Sequence, residues 1–317
     1  MGNRDRAPLE GVVWLRRDAR AAGYSDRAIA KLVKTREWHR VRRGAYCSGE
    51  LWDSLSPEDR HRVLCRAVLL TAHPSSALSH VSSAIEWDAE TWGFDLNVVH
   101  TTRTDGKCGR KEAGIVHHRG LLSEDDVVVH NGVRVTCAPR SVAETCTIAD
   151  VEPALTVANS LLHGGRIDMD ELNGQTAVTR SWPRSLTTDL VRRLADHRIE
   201  SVAESRAFYF FWREHLPRPE PQVEVYDEDG RLVGRMDFAW ASDGVFAEMD
   251  GKLKYLTMRR DGETLDEFLL REKRREAQIC ALTGWVCIRI TWEDLARPRL
   301  LARRIRKILE SRALKPA

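Results

Sequence analysis

Residues 245–250, Val-Phe-Ala-Glu-Met-Asp, constrain what this chain can fold into more than any other short stretch. They start like a buried strand at Val245, Phe246 and Ala247, and then place Glu248 and Asp250 two residues apart. Strand side chains alternate between faces, so Glu248 and Asp250 point the same way, and Lys252 joins them if the strand continues. Two carboxylates side by side repel each other unless something cationic or a proton lies between them. A chain that buries this stretch has to supply that cation or that proton.

The flanking segments show what surrounds it. "RIESVAESRAFYFFWREHL" has helical periodicity, with Phe208, Phe211, Trp212 and Leu216 on one face and Glu204 near its start. "QVEVYDEDGRLVGRMDFAW" predicts two strands joined by a tight turn at Asp229-Gly230, the second ending in Asp237. "EFLLREKRREAQICALTG" predicts a long helix with Lys273, Arg274 and Arg275 on or near its polar side, stopped by Gly284. A buried strand, "WVCIRITWEDL", and a basic closing helix, "ARPRLLARRIRKILESRAL", complete residues 199–317. The predicted order is α-β-β-β-α-β-α.

Asp237 at one strand end and Glu248 and Asp250 on the next make a set of oxygen ligands suited to Mg²⁺ or Mn²⁺. Mg²⁺ takes one or two protein carboxylates and keeps several waters. Such an ion would relieve the carboxylate repulsion, activate a water against a phosphodiester and stabilise the developing charge on the phosphate.

Residues 199–297 resemble the PD-(D/E)XK nuclease superfamily, in the branch around very-short-patch repair endonucleases and their relatives. The resemblance rests on "ESR" in the first helix, "MDFAW", "EMDGKLKY", "EKRREAQICALTGW" and "IRITWEDL". It implies that Asp237 and Glu248 are metal-binding acids, and that Glu204 is the helix glutamate used by some members as a further ligand, often through water. The superfamily pattern wants a lysine two residues after the acid, where this chain has Asp250. Lys252, or Lys273 on the following helix, is the substitute that could reach the scissile phosphate.

The front end is where positive charge collects. Residues 1–55 hold 12 Lys/Arg against 7 Asp/Glu, although the whole chain carries only +3. An excess of this kind points to a polyanionic partner. A helix is expected at about 13–22, with Trp14, Leu15 and Ala19 on one side, and a second at 26–35, capped by Ser25. "WHRVRRGAY" alternates and turns at Gly44, as a small β wing would. Helix, turn, helix and basic ribbon outline a winged helix-turn-helix, whose second helix enters the DNA major groove. Arg27, Lys31 and Lys34 would face the nucleic acid, with Arg40, Arg42 and Arg43 on the wing. Residues 10–50 resemble the N-terminal domain of the abortive-infection type IV antitoxin family. A "LSH.SSA" segment in the middle is similar to its second domain.

In that middle part, a helix and then a strand are expected over 77–102 and strands at 114–119 and 126–136, the last broken by an Asn131-Gly132 hairpin turn. Pro139 and Arg140 open a helix. His80, Ser82, Ser83, His117 and His118 carry no nucleophile elbow or metal-ligand helix, and the two paired histidines point to opposite strand faces. Catalysis is therefore not expected there.

The sequence reading is a mixed, multidomain α/β chain. It comprises a winged helix-turn-helix over 1–55, an antitoxin-like α+β domain over 56–146, a helical connector over 147–198 and a PD-(D/E)XK-like nuclease domain over 199–317. Seven scattered cysteines without a CxxC pair suit a reducing cytoplasm, and no signal peptide or membrane-spanning run is visible. Two functions follow: a Mg²⁺- or Mn²⁺-dependent DNA endonuclease in phage defence or toxin–antitoxin biology, or a DNA-binding repressor with a catalytically silent nuclease-like domain. A third is an RNA-acting toxin on the same scaffold. DNA is the expected partner, RNA stays open, and a cognate toxin or a second copy of the chain is the possible protein partner.

Overall fold

Three β-sheets organise the chain in a computed structural model that describes residues 9, 11–107, 113–250 and 262–313. The architecture is mixed α/β and divides into two units, Met1–Arg193 and Leu194–Ala317.

The first unit opens with a three-stranded sheet of order β1-β3-β2, with β1 at Trp14–Leu15, β2 at Trp38–Arg42 and β3 at Ala45–Ser48. Helices α1 (Arg16–Ala21) and α2 (Asp26–Lys34) lie between β1 and β2 in sequence. The Ser25 side chain accepts the Ala28 N–H at 3.1 Å and so starts α2. Gly44, at φ +78°, turns β2 into β3. The helix expected at about 13–22 is shorter, because Trp14 and Leu15 pair with Tyr46 and Ala45. An apolar run beside a free strand edge gains ladder hydrogen bonds as well as burial, and helical spacing alone does not reveal that alternative.

Helices α3 (Gly49–Ser54) and α4 (Pro57–Leu69) lead into a five-stranded sheet of order β6-β5-β4-β8-β7. Its strands are β4 (Ser76–Leu78), β5 (Val99–Arg103), β6 (Ile115–His118), β7 (Val127–His130) and β8 (Val133–Thr136). Asn131 and Gly132, both at positive φ, make the two-residue turn between β7 and β8. Helix α5 (His80–Glu86) follows β4. Helices α6 (Ala138–Ile148), α7 (Val151–His163), α8 (Met169–Val178) and α9 (Ser185–Leu194) follow β8.

The second unit has a four-stranded sheet of order β12-β11-β10-β9, made of β9 (Glu220–Tyr226), β10 (Leu232–Trp240), β11 (Val245–Asp250) and β12 (Val286–Thr291). β11 and β12 are parallel, and the other pairs are antiparallel. Helix α10 (Val202–Arg213), the short α12 (Trp292–Leu295) and α13 (Pro298–Ala313) pack on one face, around Phe208, Phe211, Phe238 and Ile305. Helix α11 (Leu265–Thr283) covers the other face, where Ile279 meets Met236 and Phe246. With both faces covered, Val245, Phe246, Ala247 and Met249 can all be apolar, as a buried parallel strand requires. No described helix is long and apolar enough to cross a membrane.

Candidate active site

Pairing between β10 and β11 runs from Trp240 opposite Val245 to Phe238 opposite Ala247 and stops there. A buried N–H without a partner costs about 1–3 kcal/mol. The Met249 N–H, just beyond this point, instead donates to Oδ2 of Asp237 at 2.7 Å. The Asp237 side chain thus replaces a ladder carbonyl where the strands part, which sets its carboxylate against the backbone next to Glu248. Both acids are buried, at 6% exposure each.

Glu248 shares its strand face with Phe246 and looks toward α11. From that helix Arg275 places Nη2 3.3 Å from Glu248 Oε2, 3.0 Å from Glu272 Oε2, and Nη1 3.0 Å from the carbonyl of Arg235. Burial works against the Arg275 charge, but Glu248 and Glu272 outweigh it and raise its pKa. The carboxylate repulsion foreseen at Glu248 is thus met in part by a guanidinium supplied from the neighbouring helix.

Glu204 sits in the first turn of α10, where the Ser201 side chain caps the helix. It accepts Ser201 Oγ at 2.7 Å, the Glu200 N–H at 3.0 Å and Gln222 Nε2 at 2.8 Å. Gln222, on β9, faces Asp237 between the register pairs Val223–Met236 and Pro221–Phe238, and it holds φ +55°. Glu204 is therefore tied through Gln222 to the strand position that carries Asp237. Asp250 ends β11, half-buried, opposite Thr291 of β12.

The structure sets the Asp237 carboxylate on the backbone one residue from Glu248, and ties Glu204 to the neighbouring strand through Gln222. Lys273 is exposed on α11 and has no partner among the described residues, while Lys252 lies outside them. The cation at Glu248 is Arg275, which the sequence reading gave no role at the site. The signal for it was present: Arg275 precedes the buried Ile279 by four residues and so shares its sheet-facing side. Gln222 had no signal, because an unusual backbone angle within a strand leaves no composition mark.

Among the described residues no group of three or more His, Cys, Asp or Glu side chains is arranged to hold a metal. The chemistry of the donors nevertheless fits Mg²⁺ or Mn²⁺, because Asp237 and Glu248 supply two hard oxygen ligands and water can complete the shell. Glu204, with its hydrogen bonds to Ser201, Glu200 and Gln222, fits a role through water better than direct ligation.

On the first unit, Arg27, Lys31 and Lys34 are exposed on α2 at spacings of four and three, hence on one face. Arg40 and Arg43 are exposed on the β2–β3 hairpin, and Arg42 is half-buried. No carboxylate pairs Arg27, Lys31, Lys34, Arg40 or Arg43 among the described residues. Arg16 contrasts with them: its Nε lies 2.9 Å from Asp26 Oδ1.

A second polar cluster, with His80 buried and His100 and His118 half-buried, lies where the start of α5 meets β5 and β6 of the five-stranded sheet. His100 Nδ1 is 2.8 Å from His118 Nε2, and the His80 ring stacks on His118 with centroids 3.5 Å apart. His117 points away and meets Thr101 Oγ1 at 2.9 Å. Burial, with neighbouring imidazoles, pushes His100 down to about 3, and burial with His117 pushes His118 down to about 4.

Protein-family models give no match to the chain, and a search of curated proteins gives none either.

Proposed function

We propose that the chain is a metal-dependent endodeoxyribonuclease of PD-(D/E)XK type with a winged helix-turn-helix front end. The observation that carries this reading is that two buried acids, Asp237 on the Met249 N–H and Glu248 beside Arg275, lie at the point where β10 and β11 part. Buried acids gathered at a strand end, beside a cation that is not their only use, match a phosphoryl-transfer site better than a structural salt bridge.

In this reading Asp237 and Glu248 hold the ion, which supplies an activated water and charge stabilisation when bound. Asp237 is fixed by the Met249 N–H, so its carboxylate needs no reorganisation during the reaction. Gln222 and Glu204 keep that strand end in place. Arg275 orients Glu248; its guanidinium nitrogens are engaged by Glu248, Glu272 and the Arg235 carbonyl, so it contributes positive charge beside the scissile phosphate, part of the role the superfamily pattern gives to a lysine. Exposed cations on α2 and the hairpin hold DNA through its phosphates. A role in phage defence or toxin–antitoxin biology, with a cognate toxin or second copy as partner, belongs to the same proposal.

The second reading is a DNA-binding repressor with a silent nuclease-like domain. Asp250 at the place of the expected lysine and the Arg275–Glu248 ion pair favour it. Purified protein on plasmid and linear DNA, with Mg²⁺ or Mn²⁺ and with chelator, separates the two. Metal-dependent cleavage that is absent in Glu248→Gln and Asp237→Asn supports the nuclease. DNA binding without cleavage under every metal condition supports the repressor.

A further inference from the structure

We propose that the outer face of α13 is a docking surface for the phosphate backbone of a nucleic acid. The sequence offers this helix only as a basic closing element. Between Pro298 and Ala313 it holds six Lys/Arg against one Glu, while the rest of residues 199–317 holds 16 Lys/Arg against 20 Asp/Glu. The positive charge of the second unit is thus concentrated on one helix.

The structure divides those six cations into two sets. Arg304 donates to the carbonyl of Arg289 at 2.8 Å and lies 3.5 Å from Asp294. Arg312 donates to the carbonyl of Gly284 at 2.9 Å, and Arg306 donates to the carbonyl of Glu214. These three fasten the helix. Arg299, Arg303 and Lys307 are exposed and have no hydrogen-bond or ion-pair partner among the described residues. They recur every four residues, a row of about 12 Å at 1.5 Å per residue. They line a concavity of about 370 Å³ together with Arg306, Glu214 and Glu310.

The chemistry selects the occupant. Five of the six cations are arginines, whose planar fork matches phosphate oxygens, and a row of fixed charges matches a ligand whose own charges repeat along a line. A helix lying on an anionic membrane would keep its apolar side for lipid. Here Leu301, Ala302, Ile305 and Leu309 are buried in the core, so that side is already used. The surface is distinct from the acid cluster, which lies at the α11 face and the start of α10, and it does not depend on cleavage.

The test uses the full chain in EDTA, with Arg40, Arg42 and Arg43 changed to Gln so that the front end contributes less. Binding of a labelled random-sequence duplex is followed against salt, with and without Arg299→Gln, Arg303→Gln and Lys307→Gln. With three fewer phosphates neutralised, the log–log salt slope should fall by roughly 2.7. An unchanged slope overturns the proposal. Lys307 acetylation in the wild-type chain gives a readout that needs no variant: duplex should protect it, and a polyglutamate of equal charge should not. Equal reactivity with and without duplex, or equal protection by polyglutamate, also overturns it. The assay runs in EDTA and reads binding alone, so failure of the nuclease reading, seen as absent cleavage, and failure of this surface, seen as an unchanged salt slope, are read separately.

Discussion

Arg275 of α11 and Glu248 of β11 form an ion pair across the sheet–helix interface, with 3.3 Å between Nη2 and Oε2. Glu248 is nearly fully buried, so it depends on that partner more than a surface acid would. Breaking a fully buried pair by removing one member costs about 3–5 kcal/mol. Arg275 keeps part of its side chain in solvent, so Arg275→Met should cost less, about 2 kcal/mol. Urea unfolding measures it. Arg275→Met combined with Glu248→Gln should recover most of the loss, since no unpaired charge then stays buried. A double variant no more stable than Arg275→Met would show that Glu248 is held by other groups.

On the nuclease reading Asp237 has two jobs, accepting the Met249 N–H and holding the ion, and two substitutions separate them. Asp237→Asn keeps an oxygen for the Met249 N–H but loses the charge. It should stay within about 1 kcal/mol of wild type and lose cleavage. Asp237→Ala leaves that N–H without its acceptor and should cost about 1–3 kcal/mol as well. Chemical denaturation beside a plasmid assay reads both. An active Asp237→Asn would remove the acid from the ion's shell.

These relationships mark what the sequence could and could not reveal. Glu248 and Asp250 stood out because alternation puts like charges on one face of a strand whose neighbours are apolar. The Asp229-Gly230 and Asn131-Gly132 turns were legible because a two-residue hairpin needs positive φ. Trp14 and Leu15 were not legible as a strand, because their pairing depends on Ala45 and Tyr46, thirty residues away. The meeting of His80, His100 and His118 was hidden for the same reason: three separate elements bring them together. Arg275 over Lys273 was decided by helix phase, which had to be anchored on Ile279 before either residue could be placed.

The hairpin cations predict a salt effect. Replacing Arg40, Arg42 and Arg43 by Ala in the full chain should weaken duplex binding and flatten its salt dependence by roughly 0.9 in log–log slope for each phosphate that is no longer neutralised. Titration at several salt concentrations measures this. A parallel line displaced to weaker binding would mean that these residues shape the hairpin without touching phosphate.

Metal should stabilise the folded chain if Asp237 and Glu248 hold it. Binding to the folded state alone adds RT ln(1 + [L]/Kd), about 2.7 kcal/mol at a hundredfold excess over Kd. The melting temperature should rise with Mg²⁺ or Mn²⁺ in the wild type and not in Glu248→Gln. Equal shifts in both proteins would place the ion elsewhere.

The histidine cluster predicts how stability depends on pH in the first unit. His100 and His118 are held neutral, with pKa values near 3 and 4 against about 6.5 in an unfolded chain. His80 is also pushed well below its usual value, first by burial and then by His118, His100 and Arg140. The unfolded chain binds these protons more readily, so the stabilisation is complete above pH 6.5 and is lost as pH falls below it. At pH 5 His100 and His118 each withdraw about 2 kcal/mol, from 1.36 kcal/mol per unit over one and a half units. Asp95 opposes the shift at His100, and His61 and His117 reinforce it at His100 and His118 respectively. Glu144 lies 3.9 Å from His80 Nδ1 and is itself raised by burial, so its proton uptake in the folded chain acts in the opposite sense above its ordinary value and offsets part of the loss in the wild type and in a histidine variant alike. Ordinary carboxylates titrate near pH 4, which leaves pH 5–6.5 as the histidine window. Unfolding free energies measured across that window should fall steeply in the wild type. His118→Gln removes one titrating ring but keeps a hydrogen-bonding group for His100 Nδ1, so its slope should be shallower by about one proton. Equal slopes in the two proteins would mean that the cluster opens to water and takes up its protons without unfolding.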